Sequence, residues 1–345
     1  MADIDRIDTA RVGMAFLDRP DVARQLRLVQ RMEELDYDSA WVCETRLARD
    51  AISILGAFAA TTSRIRLGTS VVNSWTRGPA LMAMTFATLN ELAPGRLLCG
   101  LGAYWDPLAS KQGIERTKPL TQMREYVEVV KRLLALEEGV TFEGQVVHVS
   151  DLTLDLGHDA PRSPQPVPVF IGPTGPKMME LSGEIADGVL LNGLLSTDYT
   201  RASIDRIRAG AERAGRDFAT IDCPQLVNVA MSGDGTSARE SAHYLVTKYL
   251  GQQPHIGLAS GLDPELLERI KTTMGGWPAR AGGVEDAMKL VSTDLVDRLT
   301  VSGTPGECRE GVMAWVDAGA SYPIIVPLTD NYEELVEIFA PQEGQ

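Results

Sequence analysis

Residues 167–192 read VPVFIGPTGPKMMELSGEIADGVLLN and contain two short apolar runs separated by a helical pattern. The runs at 167–172 and 188–193 lack the polar alternation of half-exposed strands, which is typical of parallel strands covered on both faces. Between them, a glycine-flanked turn leads into a helix that begins near Pro176, because proline suits the first helical turn. The stretch therefore predicts a strand–helix–strand unit of a parallel sheet.

Apolar runs of the same kind recur outward from this unit and alternate with helical patterns along the chain. Apolar residues at helical spacing mark 21–35 and 118–136, and another helical pattern at 307–318 precedes the last run. Eight alternations predict an α/β fold of the (β/α)8 TIM barrel type more readily than a doubly wound sheet. The predicted strands are 12–17, 39–44, 65–72, 96–102, 167–172, 188–193, 225–232 and 322–328.

The length of the chain leaves room for insertions. It has 345 residues, whereas a barrel of this type needs about 250, so roughly 95 remain. Two segments account for the surplus: 140–156 has the pattern of a β-hairpin, and 252–297 consists of short helical pieces separated by glycine pairs. We expect residues 1–345 to form a single barrel domain with insertions near 140–156 and 252–297.

Composition excludes several classes of protein. Thirty-three Lys and Arg against 47 Asp and Glu give 33 − 47 = −14, and binders of nucleic acid or anionic membranes need basic patches. Residues 1–10 are polar and acidic, unlike a signal peptide, and no apolar run is long enough to span a membrane. The cysteines and histidines are scattered. We therefore expect a cytoplasmic protein with reduced thiols and no metal, no nucleic acid and no membrane among its partners.

The carboxyl ends of the predicted strands are where a barrel carries its function. The turn after the fifth strand, 172–177, could bind an anion through the free N–H groups of the following helix, with Thr174 and Lys177 as additional donors. On spacing alone, an ordinary strand-to-helix turn with glycine for geometry is the alternative. On a chain of net charge −14, a phosphorylated ligand would need such a local positive site.

Glu44 ends the second strand and has two interpretations. It could serve as a general acid or a hydrogen-bond acceptor, or it could pair with Arg46 or Arg77 and serve structure only.

Aromatic residues and a glycine pair follow the third and fourth strands. Trp75, Tyr104 and Trp105 could line the mouth of a pocket for a flat ring, or they could cap the barrel core. Gly100-Leu101-Gly102 is half of a dinucleotide fingerprint, without the third glycine and the ribose-binding acid.

Together these motifs resemble the luciferase-like (bacterial luciferase) superfamily of flavin and deazaflavin barrel enzymes. The likeness is strongest to its coenzyme F-420-dependent methylenetetrahydromethanopterin reductase branch, and it covers nearly the whole chain. The stretches that carry it are 39–44, 65–79, 95–102, 113–119, 167–192 and 301–319.

The resemblance implies where a cofactor binds. Ser70-Val71 matches the family's non-prolyl cis peptide, which bulges the third strand against the back of the deazaflavin ring, and 172–177 matches the segment that binds the cofactor's phosphate. The cofactor is thus coenzyme F-420 (8-hydroxy-5-deazaflavin), with FMN as the alternative. The cofactor-binding set is Cys43, Ser70, Val71, Asn73, Gly102, Ala103, Gly172, Pro173, Thr174, Gly175, Pro176, Lys177 and Asn192.

The residues expected to face the substrate depart from the family pattern. Glu44 matches an Asp near the cofactor, but Thr45 stands where the family often has His. Ala15 replaces a Glu of the pterin reductase branch, and Tyr104-Trp105-Asp106 stand just after strand four, where sugar-phosphate dehydrogenase relatives have a Glu. The residues expected to bind the cofactor therefore match the family pattern, whereas those expected to face the substrate do not. Glu44 or Asp106, with Trp105 shaping the pocket, is the predicted catalytic set for proton handling.

The resemblance implies an F-420-dependent oxidoreductase that moves a hydride between the deazaflavin C5 and a small organic substrate. One alternative is an FMN-dependent monooxygenase that uses oxygen. The other is a non-catalytic cofactor-binding relative, which the absence of the usual His and Glu would suit. We also expect a homodimer that forms through the helices outside strands two to four.

Overall fold

The computed structural model describes residues 9–157 and 163–341. The strands are β1 (Gly13–Phe16), β2 (Ser39–Val42), β3 (Arg66–Thr69), β4 (Val72–Asn73), β5 (Leu97–Gly102), β6 (Val140–Glu143), β7 (His148–Leu152), β8 (Val169–Ile171), β9 (Gly188–Val189), β10 (Gln225–Met231), β11 (Val301–Gly303) and β12 (Pro323–Pro327). The helices are α1 (Val22–Glu34), α2 (Ala51–Thr61), α3 (Pro79–Leu92), α4 (Asp106–Lys111), α5 (Pro119–Leu134), α6 (Pro176–Ile185), α7 (Thr197–Arg213), α8 (Thr236–Gln252), α9 (Pro254–Ala259), α10 (Pro264–Met274), α11 (Gly283–Met288), α12 (Thr293–Leu299), α13 (Pro305–Asp317) and α14 (Tyr332–Ile338).

Parallel strands close into a barrel in the order β1, β2, β3, β5, β8, β9, β10 and β12, and β12 pairs again with β1. Between β9 and β10 the closure consists of parallel bridges, Gly188 with Asp222 and Leu191 with Gln225. Each of these strands lies within one of the predicted strand segments. The predicted (β/α)8 TIM barrel is therefore confirmed.

The helices form where the sequence supplies a cap and an apolar stripe. The side chain of Asp21 caps α1 by accepting from the N–H of Arg24, and the helix buries Leu28, Val29 and Met32 against the barrel. Packing of such apolar stripes against the barrel strands holds the helices in place around the sheet.

Side chains that alternate along β2 fill the inside of the barrel at successive depths. Ser39, Trp41 and Cys43 have the same parity and point to the same face, because successive strand residues face opposite sides. Trp41 is fully buried, packs edge-on against Phe170 at 5.5 Å between ring centroids, and lies over Gly68, where a Cβ would overlap its ring. Trp41 therefore separates the two ends of the barrel.

Two strands differ from the sequence prediction. The third predicted strand is interrupted after Thr69 and resumes as β4, which pairs with β5. The strand β11 was not predicted, and it extends the sheet beside the last residues of β10. The segment 140–156 contains the hairpin of β6 and β7, and 252–297 contains α9, α10, α11 and the greater part of α12.

Candidate active site at the carboxyl end of the barrel

A cavity of about 1920 Å³ opens at the carboxyl ends of the barrel strands. Every residue of the predicted catalytic and cofactor-binding sets lines it. Loops from β2, β4, β5, β8 and β9 and the helices α8 to α10 contribute to its wall. The fold thus brings residues that are more than 140 positions apart, such as Cys43 and Asn192, to one space.

Val71 forms part of the cavity wall because two neighbouring strands carry glycine beside it. The Ser70–Val71 peptide bond is cis, as the resemblance implies. A Cβ on Gly102 would overlap Val71 Cγ2, and a Cβ on Gly172 would lie 3.0 Å from Val71 Cγ1. Gly100 is needed for a different close approach, since its Cβ would overlap the carbonyl oxygen of Thr69. Strand packing therefore explains the glycine pair, and a dinucleotide fingerprint is not needed for it.

Cys43 and Ser70 meet beside this wall. Cys43 Sγ and Ser70 Oγ are 3.1 Å apart, and the thiol is buried. Burial raises the pKa of Cys43 to about 11, and the hydrogen bond between Cys43 and Ser70 opposes this rise only in part. The sulfur is therefore a protonated thiol at neutral pH.

The turn after β8 presents an open helix start to the cavity. Helix α6 begins at Pro176 with Gly175 as its N-cap, and no side chain caps the helix. A Cβ on Gly175 would have no atom within 4 Å, so the space before the helix is open. The hydroxyl of Tyr199 donates to the carbonyl of Thr174 at 2.6 Å and holds the turn in place. Backbone N–H groups at such a start, together with Lys177, suit an anion.

Two asparagines of the predicted set use their carboxamide oxygens within the protein. Asn73 Oδ1 accepts from the N–H groups of Trp75 at 3.0 Å and Thr76 at 2.8 Å. Asn192 Oδ1 accepts from the N–H of Gly193 at 2.8 Å. Each side chain therefore offers its amide nitrogen to a ligand.

Glu44 lies at the cavity edge and is held by an arginine. Its two carboxylate oxygens lie 2.7 and 3.0 Å from Nη1 of Arg77, which also binds Asp50. Arg46, the other partner considered from the sequence, pairs with Asp18 at 3.0 Å instead. Glu44 thus has a structural partner and still lines the cavity.

Asp106 and Trp105 stand at the start of α4. Asp106 is 71% exposed and pairs with Arg116 at 2.6 Å. The side chain of Arg116 also donates to the carbonyl of Ala103 at 2.7 Å. The ring of Trp105 lies 5.7 Å from that of Trp277, at 89°. Trp277 belongs to the segment 252–297, so this contact joins the inserted helices to the fourth barrel loop.

Several cavity residues were missed from the sequence. Lys111, Arg116, His255 and Trp277 all line the cavity. Burial, and then the charge of Arg116, lower the pKa of His255, which favours its neutral form. Arg116 lies in the stretch 113–119 that carries the family resemblance, so a signal was available there. Trp75, in contrast, is not among the lining residues, and its indole N–H is buried.

Other site classes receive no support within residues 9–157 and 163–341. No group of three or more His, Cys, Asp or Glu in these ranges could hold a metal ion. No helix in the same ranges is long and apolar enough to cross a membrane. All four cysteines are free and buried.

Comparison with known proteins agrees with the barrel fold and with the family resemblance. A family model described as luciferase-like monooxygenase matches residues 5–322. The chain is 28% identical to a 5,10-methylenetetrahydromethanopterin reductase of Methanolobus tindarius, over 96% of the chain and 98% of the relative. It is 29% identical to an F-420-dependent glucose-6-phosphate dehydrogenase of Kineococcus radiotolerans, over 84% of the chain and 82% of the relative. The solved structure of the coenzyme F-420-dependent tetrahydromethanopterin reductase from Methanopyrus kandleri superposes with a TM-score of 0.83 at 24% identity, over 97% of this chain and 98% of that one.

Proposed function

The chain belongs to the luciferase-like monooxygenase family, and we propose that it is a coenzyme F-420-dependent oxidoreductase. It transfers a hydride between the deazaflavin C5 and a small organic substrate. Two kinds of relative support this proposal, because the tetrahydromethanopterin reductase of Methanopyrus kandleri and the glucose-6-phosphate dehydrogenase of Kineococcus radiotolerans both depend on F-420. The substrates of these relatives are not assigned to this chain, because Ala15 and Trp105-Asp106 stand where the resemblance implies Glu residues in the two branches.

The observation that carries the proposal is the wall formed by Val71. A planar ring needs a flat apolar surface, and Val71 supplies one between the backbones of Gly102 and Gly172. The uncapped helix start at 172–177, which follows β8 directly after Gly172, would supply backbone N–H groups for an anion. A ligand with a flat ring and a phosphate-bearing tail fits this pair of features, and a cavity of about 1920 Å³ is large enough for it.

The bound deazaflavin would supply two-electron hydride chemistry, and the protein's share would be positioning and electrostatics. Val71 and the two glycines would orient the ring, while the start of α6 and Lys177 would hold the phosphate. Glu44 would handle the proton at its carboxylate, since Arg77 fixes it at the edge of the cavity. Asp106 is much more exposed, so we assign it a smaller part.

A fluorescence titration with oxidised F-420, run beside FMN, tests the assignment. We expect F-420 to bind much more tightly than FMN. Gly102→Ala should weaken F-420 binding at least tenfold, roughly 1.4 kcal/mol, because its Cβ displaces Val71. Gly306→Ala is the matched control, since a Cβ there meets nothing within 4 Å. A preference for FMN would favour the monooxygenase instead, and binding of neither would remove the cofactor assignment.

We further propose that the barrel and its insertions form one domain of a cytoplasmic homodimer. Free, buried cysteines suit a reducing compartment. The large apolar side chains of Leu81, Met84 and Leu92 on α3 are exposed, and a second copy would cover them. Light scattering should give twice the chain mass, and Met84→Asp should give a monomer. A monomeric wild-type chain would contradict the dimer.

A further inference from the structure

The cavity contains a second group of residues that the cofactor assignment leaves unused. We call Trp105, Lys111, Arg116 and Trp277 the tryptophan–lysine group. Lys111 Nζ lies 5.0 Å from the centre of the Trp277 ring, and the two indoles are in edge contact. Arg116 joins the group through Asp106 and the carbonyl of Ala103.

The positive charge of this group is only partly neutralised. Asp106 balances Arg116. No carboxylate of the described residues lies within 4.0 Å of Lys111 Nζ, whose contact is the face of Trp277. Like Lys177, Lys111 is thus a cavity cation without an ion pair within the described residues of a chain of net charge −14. It favours an anionic group of a ligand at this place.

The group also presents aromatic surface to the cavity. Trp277 is 38% exposed although tryptophan is among the most buried residues on average. Leu258, another residue of the cavity lining, is exposed as well. Exposed apolar side chains at the rim of a pocket mark a place where a ligand packs.

We propose that the tryptophan–lysine group recognises the substrate, and that the substrate is a planar conjugated organic acid. Its ring or conjugated chain packs against Trp277 and Trp105, and its carboxylate approaches Lys111. This inference concerns the substrate side of the proposed oxidoreductase site, so it rests on that function. It goes beyond it by naming a substrate class.

The probes are trans-cinnamate and its neutral isostere cinnamamide, which share the ring and differ in charge. Calorimetric titration of the F-420-saturated protein should show that cinnamate binds more tightly. Lys111→Met should weaken cinnamate about 5- to 10-fold and leave cinnamamide and F-420 unchanged, since a cation–anion contact at a partly exposed site is modest. Trp277→Leu should weaken both probes, because both lose the aromatic surface.

Lys289→Met is the matched control. Lys289 lies in the inserted segment 252–297, its partner is Asp286, and it is not among the lining residues. This variant removes the same unit of charge from the chain and should leave cinnamate binding unchanged. An equal loss in both lysine variants would show a long-range charge effect and would overturn the site.

Other outcomes would also overturn the inference. These are equal affinity for the two probes, no measurable cinnamate binding, or a Lys111→Met variant that loses affinity for F-420 and keeps it for cinnamate. The last would mean that the group binds the cofactor. The titration is repeated without cofactor, so that failure of F-420 to bind and failure of the cinnamate preference are observed separately.

Discussion

The two ends of the barrel differ in how completely their cations are paired, although both contain ion pairs, such as Arg77 with Glu44 at the carboxyl end. At the amino end, Arg11 pairs with Asp38 at 3.0 Å and with Asp222 at 2.7 Å, and Arg66 reaches the same two acids. At the carboxyl end, Lys111 and Lys177 line the cavity, and no ion pair of either is found within the described residues. Both ends belong to the same acidic chain, so the difference lies in the pairing.

This difference separates stability from binding. The acids at the amino end come from loops before β2 and β10, so their arginine pairs join elements that must meet when the barrel closes. Arg11 also stacks on Tyr322 at 4.1 Å, at the start of the last strand. The unpaired cations at the other end contribute nothing comparable to closure. They are available to a ligand, as expected for the carboxyl end of a barrel.

Trp41→Ala should have the largest effect on stability, because it removes the side chain that separates the two ends of the barrel. Removing a fully buried tryptophan from the barrel interior costs about 3–5 kcal/mol of unfolding free energy. F-420 binding should fall with it, since Phe170 and the cavity floor lose their support. Urea unfolding measures the first effect and the titration the second. Leu47→Ala, at an exposed position, serves as the control. A loss below about 1 kcal/mol would contradict the assigned role of Trp41.

Arg11→Met tests the amino end alone. It leaves Asp222 and Asp38, both largely buried, with one cation fewer, and we expect a loss of about 1–3 kcal/mol in unfolding free energy. F-420 affinity should not change, because Trp41 lies between the network and the cavity. Arg31→Met, whose pairs with Glu34 and Glu337 are more exposed, should cost about 1 kcal/mol or less. Equal losses in the two variants would remove the distinction.

The barrel could be predicted because its signal is local. Each predicted apolar run contains a barrel strand, so the eight barrel strands could be located from these runs, and helical spacing indicated the helices between them. The strand β11 was missed because its three residues, Val-Ser-Gly, do not belong to an apolar run, and it gains its place by pairing with the end of β10. Such a short segment has no period of its own to detect.

The candidate site could be predicted only where its residues are adjacent in the sequence. Gly172 to Lys177 lie in one turn, so the sequence indicates their grouping directly. Trp277 is placed beside Trp105 by the packing of α8 to α10, and nothing in the spacing between positions 105 and 277 indicates this contact. The sequence likewise offers two candidate partners for Glu44, Arg46 and Arg77, and only the folded chain shows that the partner is Arg77.

Lys177→Met tests whether a cation at the cavity end contributes to ligand binding and not to stability. We expect F-420 affinity to fall about 3- to 10-fold, because one cation near a helix start contributes roughly 1 kcal/mol to anion binding. Unfolding free energy should stay within about 0.5 kcal/mol, since Lys177 is exposed. Lys289→Met should change neither quantity. A stability loss without an affinity loss would place Lys177 with the structural charges of the other end.

The last prediction concerns the alkylation rate of Cys43, the smallest of the expected effects, which tests occupancy of the cavity beside this one residue. Burial raises its pKa to about 11, so the reactive thiolate is scarce at neutral pH. Its alkylation by iodoacetamide should be slow at pH 7.5 and rise about tenfold per pH unit below that pKa. Cys99 is completely buried and burial raises its pKa further, so peptide mapping should find Cys43 modified first. F-420 should protect Cys43, whereas an unchanged rate with saturating F-420 would place the cofactor away from the Cys43–Ser70 contact.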